Sequence, residues 1–167
     1  MTSFRLAPMS PLVAVLTVGL LALPVVFVVG GLSAPGSVRF VPFGLAGLVA
    51  LLYLGVWLYA RPRAFEVDGR GLAIVWPARR RLIPRSEIAG ARVLVRERCR
   101  AELGWGGRIG VGGLGGGFGW AWTSKRGLVD LYVSRTDGLV LVERRAGRPL
   151  LLTPERPDEL VRALRAG

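Results

Sequence analysis

The sequence predicts a two-helix transmembrane hairpin followed by a mainly-β domain that ends in one amphipathic helix. Three observations carry this reading. Charge is segregated: residues 1–60 contain only Arg5 and Arg39 and no acid, while the rest of the chain holds 21 basic and 11 acidic residues. Two uncharged apolar runs, residues 11–32 and 40–60, fill the first part. After Arg61, short apolar stretches alternate with turn residues until a helical period takes over near the C-terminus.

The first run would extend about 33 Å as a helix and the second about 31 Å, so each is long enough to cross a bilayer. Pro24 would break a soluble helix, but spans tolerate it. In the second run Gly44, Gly47 and Gly55, with Ala46 and Ala50, either let the helices approach closely or reflect the general frequency of glycine in spans. The apolar part of the first run is longer than a signal-peptide core, and Leu32-Ser33-Ala34 is a poor cleavage site, so an uncleaved helix is expected. Residues 33–39, with Pro35 and Gly36, form a tight connection. Arg61, Arg63, Arg70 and Arg79–Arg81 follow the second run, which places that side in the cytoplasm by the positive-inside rule. Both termini are then cytoplasmic, and the protein is a multi-pass protein of the cell membrane. Tyr53, Trp57 and Tyr59 fit an inner aromatic belt, and Phe40 and Phe43 mark the outer end.

Residues 61–167 read as one cytoplasmic domain, and residues 1–60 as the hairpin. Strands are expected at Ala64–Asp68, residues 72–76 and Arg80–Pro84, with a short turn or helix fragment at 86–88. Residues 90–100 alternate: Ala91, Val93, Val95 and Cys99 on one face, and Arg92, Arg96, Arg98 and Arg100 on the other. Glu97 interrupts the apolar face. Further strands are expected at 128–134, 139–143 and 148–153, with Thr136-Asp137-Gly138 as a hairpin signal between the first two. Residues 155–166 show a helical pattern with Leu160, Val161 and Leu164 on one face. Thr153 or Asp158 suits its cap, and Pro154 or Pro157 its first turn. About seven antiparallel strands and one helix describe a small barrel or sandwich.

Ten glycines fall in the sixteen residues 104–119. A GxGxxG pattern lies within them (Gly110, Gly112, Gly115), but a strand rather than a crossover helix follows, so no dinucleotide site is expected. The stretch reads as a glycine-rich hairpin or a flexible loop. One of Trp120 and Trp122 is expected in the core. Trp105 is open, and outward-pointing tryptophans would let the loop dip into the membrane interface.

The chain has no histidine and one cysteine, Cys99. This excludes Ser-His-Asp and Cys-His catalysis, His- or Cys-cluster metal sites and intrachain disulfides. No cofactor or metal is expected. The net charge of +12 attracts anionic lipid more simply than nucleic acid, for which no motif is present. Arg79, Arg80 and Arg81 are the first candidates for headgroup or partner contact, and Arg96, Arg98 and Arg100 the second. Each has a plain alternative as a solvated turn or strand face.

The order of features resembles the bacterial pleckstrin-homology (PH) domain family over residues 61–167. Arg108 precedes the glycine run to Phe118-Gly119. Gly127-Leu-Val-Asp-Leu-Tyr132-Val-Ser-Arg135 follows, then Leu139–Val142 and Pro149 to Thr153-Pro154-Glu-Arg-Pro157. The resemblance implies a PH-like fold, a bent barrel plugged at one end by the C-terminal helix. It implies no enzymatic activity, and it does not imply phosphoinositide binding. The length of the glycine run and the excess of arginine depart from the pattern. The expected function is a non-catalytic, membrane-anchored adaptor that binds a protein partner, itself or anionic lipid headgroups. The alternative is an accessory subunit of a membrane transporter or lipid-modifying enzyme.

Overall fold

The computed structural model describes residues 2–166, with the backbone alone described for residues 96–98 and 108–111. The chain opens on a strand, β1 (Thr2–Arg5), before the first long helix α1 (Pro11–Ser33). A short turn leads to α2 (Phe40–Gly55), which continues through a single π-helical turn, Val56–Ala60. Both are long and apolar enough to cross a membrane. Their side chains face outward almost throughout: Thr17 and Gly31 are the buried residues of α1, and Ala46 that of α2. The close approach is at Gly31, where a Cβ would sit 3.2 Å from the Arg39 carbonyl and from Phe43. Gly44, Gly47 and Gly55 face open space, so they do not bring the helices together. Tyr53 Oη donates to the Leu20 carbonyl at 2.8 Å and ties the pair deeper in.

Among the described residues there are ten strands where about seven were expected, and the arrangement differs from the expectation in four ways. One sheet runs β1-β2-β3-β4, with β2 at Ala64–Asp68, β3 at Gly71–Val75 and β4 at Arg80–Pro84. β1 pairs antiparallel with β2, Phe4 facing Phe65. Thr2–Arg5, for which no strand was expected, therefore supplies an edge strand to the domain. The second sheet runs β5-β9-β10-β8-β7-β6. Its strands are β5 (Ile88–Leu94), β6 (Gly106–Gly112), β7 (Gly117–Thr123), β8 (Gly127–Val133), β9 (Leu139–Arg144) and β10 (Leu150–Leu152).

The second difference concerns residues 95–103. The alternation ends at Leu94, and Arg96–Leu103 is a helix, α3. Arg, Glu, Ala and Leu are good helix formers, and Gly104, at a φ of +75° that favours glycine, ends the helix in an extended conformation. Glu97 on the supposed apolar face was the sign that a period of two does not hold there. The third difference is that β8 and β9 are not neighbours despite the turn between them. β10 lies between them, parallel to β8 and antiparallel to β9. Its three leucines are buried, and a strand without a polar face belongs in the middle of a sheet. So the sheets are not wholly antiparallel. Fourth, the glycine stretch is an ordered hairpin, β6 against β7 from Gly106↔Thr123 to Gly112↔Gly117.

The main core lies between the two sheets under α4 (Pro157–Ala166). It joins Phe4, Phe65, Leu72 and Ile74 to Val140, Leu150, Leu152 and Leu160. Pro157 opens α4, and Leu160, Val161 and Leu164 are its buried face. A second cluster, Leu94, Val129, Leu131, Leu141 and Leu151, lies on the other face of the larger sheet beside Cys99 and Leu103 of α3. Arg92 and Arg126 clasp Glu102 of α3 at 2.6 and 3.0 Å and so hold that helix on the sheet.

Candidate functional site

The end of the domain that meets the helices carries the site. The segment between β1 and α1 is held on both sides. Leu6 bridges Pro154, the Ala7 amide donates to the Thr153 carbonyl at 2.9 Å, and the Ser134 hydroxyl donates to the Ala7 carbonyl at 2.7 Å. Thr153 Oγ1 in turn accepts from the Ser134 amide at 2.8 Å, and both side chains are fully buried. Thr153 thus grips the lead into α1 instead of capping α4. A Thr153→Val change keeps the shape and leaves the Ser134 amide without its acceptor. It should cost about 1–3 kcal/mol, read as a lower melting temperature of the full chain in detergent; no change would mean the grip is absent.

On the α2 side, the Trp76 indole donates to the Ala60 carbonyl at 3.0 Å and the Ala78 amide to Leu58 at 3.3 Å. The β3–β4 turn therefore leans on the last turn of α2. Arg61 lies over the Trp57 ring at 4.5 Å, and burial lowers its guanidinium pKa.

From Trp76 a basic and aromatic patch runs across both sheets. Trp76 meets Tyr132 edge to face, 5.5 Å between centroids. Arg79 lies over Trp76 at 4.2 Å. Arg81 pairs with the buried Asp130 at 2.9 Å, and Arg148 lies 3.8 Å from the same carboxylate and over the Trp120 ring at 5.3 Å. β7 and β8 set this spacing, with Trp120 opposite Asp130 and Phe118 opposite Tyr132. Burial raises the Tyr132 pKa, so the phenol stays protonated. Burial works against the charge on Arg81, but the hydrogen bond to Asp130 and the neighbouring Tyr132 and Asp130 outweigh it and raise its pKa. Asp130 pairs with Arg81 and Arg148, and Arg79 adds a third guanidinium over Trp76, so the patch is net positive. Such groups stacked on tryptophan present a flat cationic face to anions.

The sequence-predicted residues fall in several places. Arg79 and Arg81 reach the patch, while Arg80 alternates with Arg81 along β4, faces the other side of the sheet and pairs with Glu66 at 2.9 Å. Arg100 is remote from them, over Trp105 at 5.3 Å. The side chains of Arg96, Arg98 and Arg108 lie outside the described residues. Phe118 is buried, Gly119 takes φ +124°, and Arg135 donates to the Asp137 and Pro154 carbonyls. With Tyr132, Thr153, Pro154 and Pro157, these motif positions hold the fold together. Trp120 and Trp122 are not core: they are 50% and 52% exposed, and Trp105 is 75% exposed. β7 keeps Phe118 under cover, while Trp120 and Trp122 on the same face run out past the edge of the core. Arg148 and Trp120 were missed as a pair, because 28 residues separate them and their contact depends on β10 lying beside β8. Among the described residues no His/Cys/Asp/Glu group is arranged to hold a metal ion.

The model of the bacterial PH domain matches residues 63–167. The chain belongs to the bacterial PH domain family. No curated protein and no solved structure matches it. The PH domain match begins two residues after Arg61. The two long helices and β1 lie ahead of it, although β1 is part of the same sheet. PH domains are generally non-catalytic interaction modules, and the architecture described above, two sheets closed by a C-terminal helix, is of that kind.

Proposed function

We propose that this PH domain is a non-catalytic interaction module held at the cytoplasmic face of the cell membrane by its helical hairpin, and that it contacts anionic lipid headgroups there. The observation that carries the reading is the position of the cationic patch, whose Trp76 is bonded to the last residue of α2. Arg79 and Arg81 start at that level and Arg148 and Trp120 continue it. Cationic side chains this close to a leaflet gain about 1 kcal/mol each from anionic lipid. Pairing of β1 with β2 supports both ends of the chain lying on one side of the membrane, as two spans require. The arginines after the second span favour the cytoplasmic side. On this reading residues 11–60 are the anchor, and residues 2–10 join residues 61–166 in the domain.

The test uses the full chain and an Arg79→Ser/Arg148→Ser variant. Asp130 keeps Arg81 in the variant, so its fold is preserved. Both proteins are extracted gently from the cell membranes in which they are produced, which contain neutral and anionic lipid, and the retained lipid and protein are identified by mass spectrometry. The variant should retain at least about tenfold less anionic lipid, since two contacts of about 1 kcal/mol each amount to roughly 30-fold in affinity. Equal retention would overturn the headgroup contact. A stoichiometric protein co-purifying with both forms would instead make the module an adaptor for that protein.

A further inference from the structure

We infer that the tip of the β6–β7 hairpin is a third membrane-contacting element, seated in the edge of the hydrocarbon layer beside α1. The inference rests on the reading of α1 and α2 as spans. Thr17 carries it. This side chain is 6% exposed. Its Oγ1 donates to the Gly113 carbonyl at 2.7 Å, shared with the Val13 carbonyl, and accepts from the Gly115 amide at 2.9 Å. Thr17 lies six residues into α1, about 9 Å from its first residue. A hairpin tip that bonds to it therefore lies at the depth of the span.

The chemistry of the tip suits that depth. Residues 109–124 carry no charge. In lipid every backbone polar group needs a partner within the protein. Several at the tip are met so: β6 pairs with β7 up to Gly112↔Gly117, the Gly113 amide donates to the Gly116 carbonyl at 3.0 Å, and Thr17 serves the Gly113 carbonyl and the Gly115 amide. Glycine is required by the fit. Gly113 and Gly115 take φ +99° and +73°, and a Cβ on them would lie 3.0 Å from Leu20 and 3.1 Å from Arg61. The depth is limited by β6, an edge strand whose outward amides and carbonyls need water or headgroups. So the tip enters and the rest of the hairpin stays at the interface. The occupant of the tip's outer side is the acyl layer, continuous with the lipid around α1.

The experiment places an environment-sensitive fluorophore at single cysteines in a Cys99→Ser full chain reconstituted in phosphatidylcholine vesicles. Gly112 and Gly107 are both exposed, and both have open space at Cβ. They lie at opposite ends of β6, about 16 Å apart. Gly112→Cys should be quenched at least twofold more by a shallow spin-labelled lipid than Gly107→Cys, and at least twofold less by aqueous iodide. Leu51→Cys, exposed in the middle of α2, reports the spans themselves. If Leu51→Cys is quenched by deep spin-labelled lipid while Gly112→Cys behaves like Gly107→Cys, the inference is overturned and the spans stand. If Leu51→Cys is not quenched, the anchoring reading fails and takes the inference with it. Amide exchange on the unmodified chain gives a second reading: the Gly115 amide should exchange at least tenfold more slowly in vesicles than in urea-loosened detergent micelles, and equal rates would overturn the proposal.

Discussion

Replacing Phe4 by alanine is expected to destabilise the PH domain by about 3–5 kcal/mol, the usual range for truncating a buried aromatic ring. Phe4 is 1% exposed and belongs to the main core with Phe65, Leu72 and Ile74. It stands before α1, sixty residues ahead of the strand it faces. The loss should lower the melting temperature of the detergent-solubilised full chain by about 12 °C or more, taking about 4 °C per kcal/mol for a domain of this size. Ser3→Ala, at an exposed site on the same strand, should leave it within about 2 °C. An unchanged melting temperature for Phe4→Ala would mean that β1 is no part of the folded domain. The same argument predicts that a chain starting at residue 61 leaves β2 as a bare edge and opens the core on that side.

The second large effect is expected at Gly116. An alanine methyl there would lie 2.3 Å from the Val133 carbonyl oxygen, 2.8 Å from Phe118 and 3.0 Å from the Ser134 Cα. Two of these atoms are backbone of β8 and its extension, so they cannot turn away. The φ of +148° adds strain for any residue with a Cβ. Backbone strain of about 1–3 kcal/mol and overpacking of about 1–3 kcal/mol together put the expected loss at about 3 kcal/mol or more. Gly112→Ala, with open space at Cβ, should change stability by no more than about 0.5 kcal/mol. Thermal unfolding of the two variants beside the parent decides it. Equal melting temperatures would show that the glycine hairpin is not packed on β8.

Much of the chain was legible from local pattern. The two uncharged runs define α1 and α2 to within a residue or so at their starts, because length and the absence of charge are properties of the segment alone. β2 and β4 lie where their alternation and turns place them, and α4 keeps Leu160, Val161 and Leu164 on one face. The site was legible only in part. Arg79 and Arg81 were singled out by the run of three arginines, but the pleat of β4 turns Arg80 away to Glu66, which the run alone does not show. Arg148, Trp120 and Asp130 come together through strand pairing across the sheet, which no local pattern records. Thr17 was not singled out in the sequence, because its contact with Gly113 crosses 96 residues.

What remained hidden has a common physical cause. Periodicity reports which face of a segment is apolar, but it does not report which segment will cover that face. Residues 148–153 and 139–143 both read as strands; that β10 enters between β8 and β9 follows from three leucines needing cover on both sides. Residues 2–5 are too short to stand as a strand alone, and they become one because Phe4 fills the core above Phe65. One of Trp120 and Trp122 was expected in the core. Both are exposed because the sheet continues past its packed neighbours, so cover ends at Phe118 and the Trp120 ring meets Arg148 instead. Length, charge and turn chemistry act within a segment and are written in its residues. Strand order, burial of the N-terminal strand and the make-up of the cationic patch arise between distant segments, and only their packing sets them.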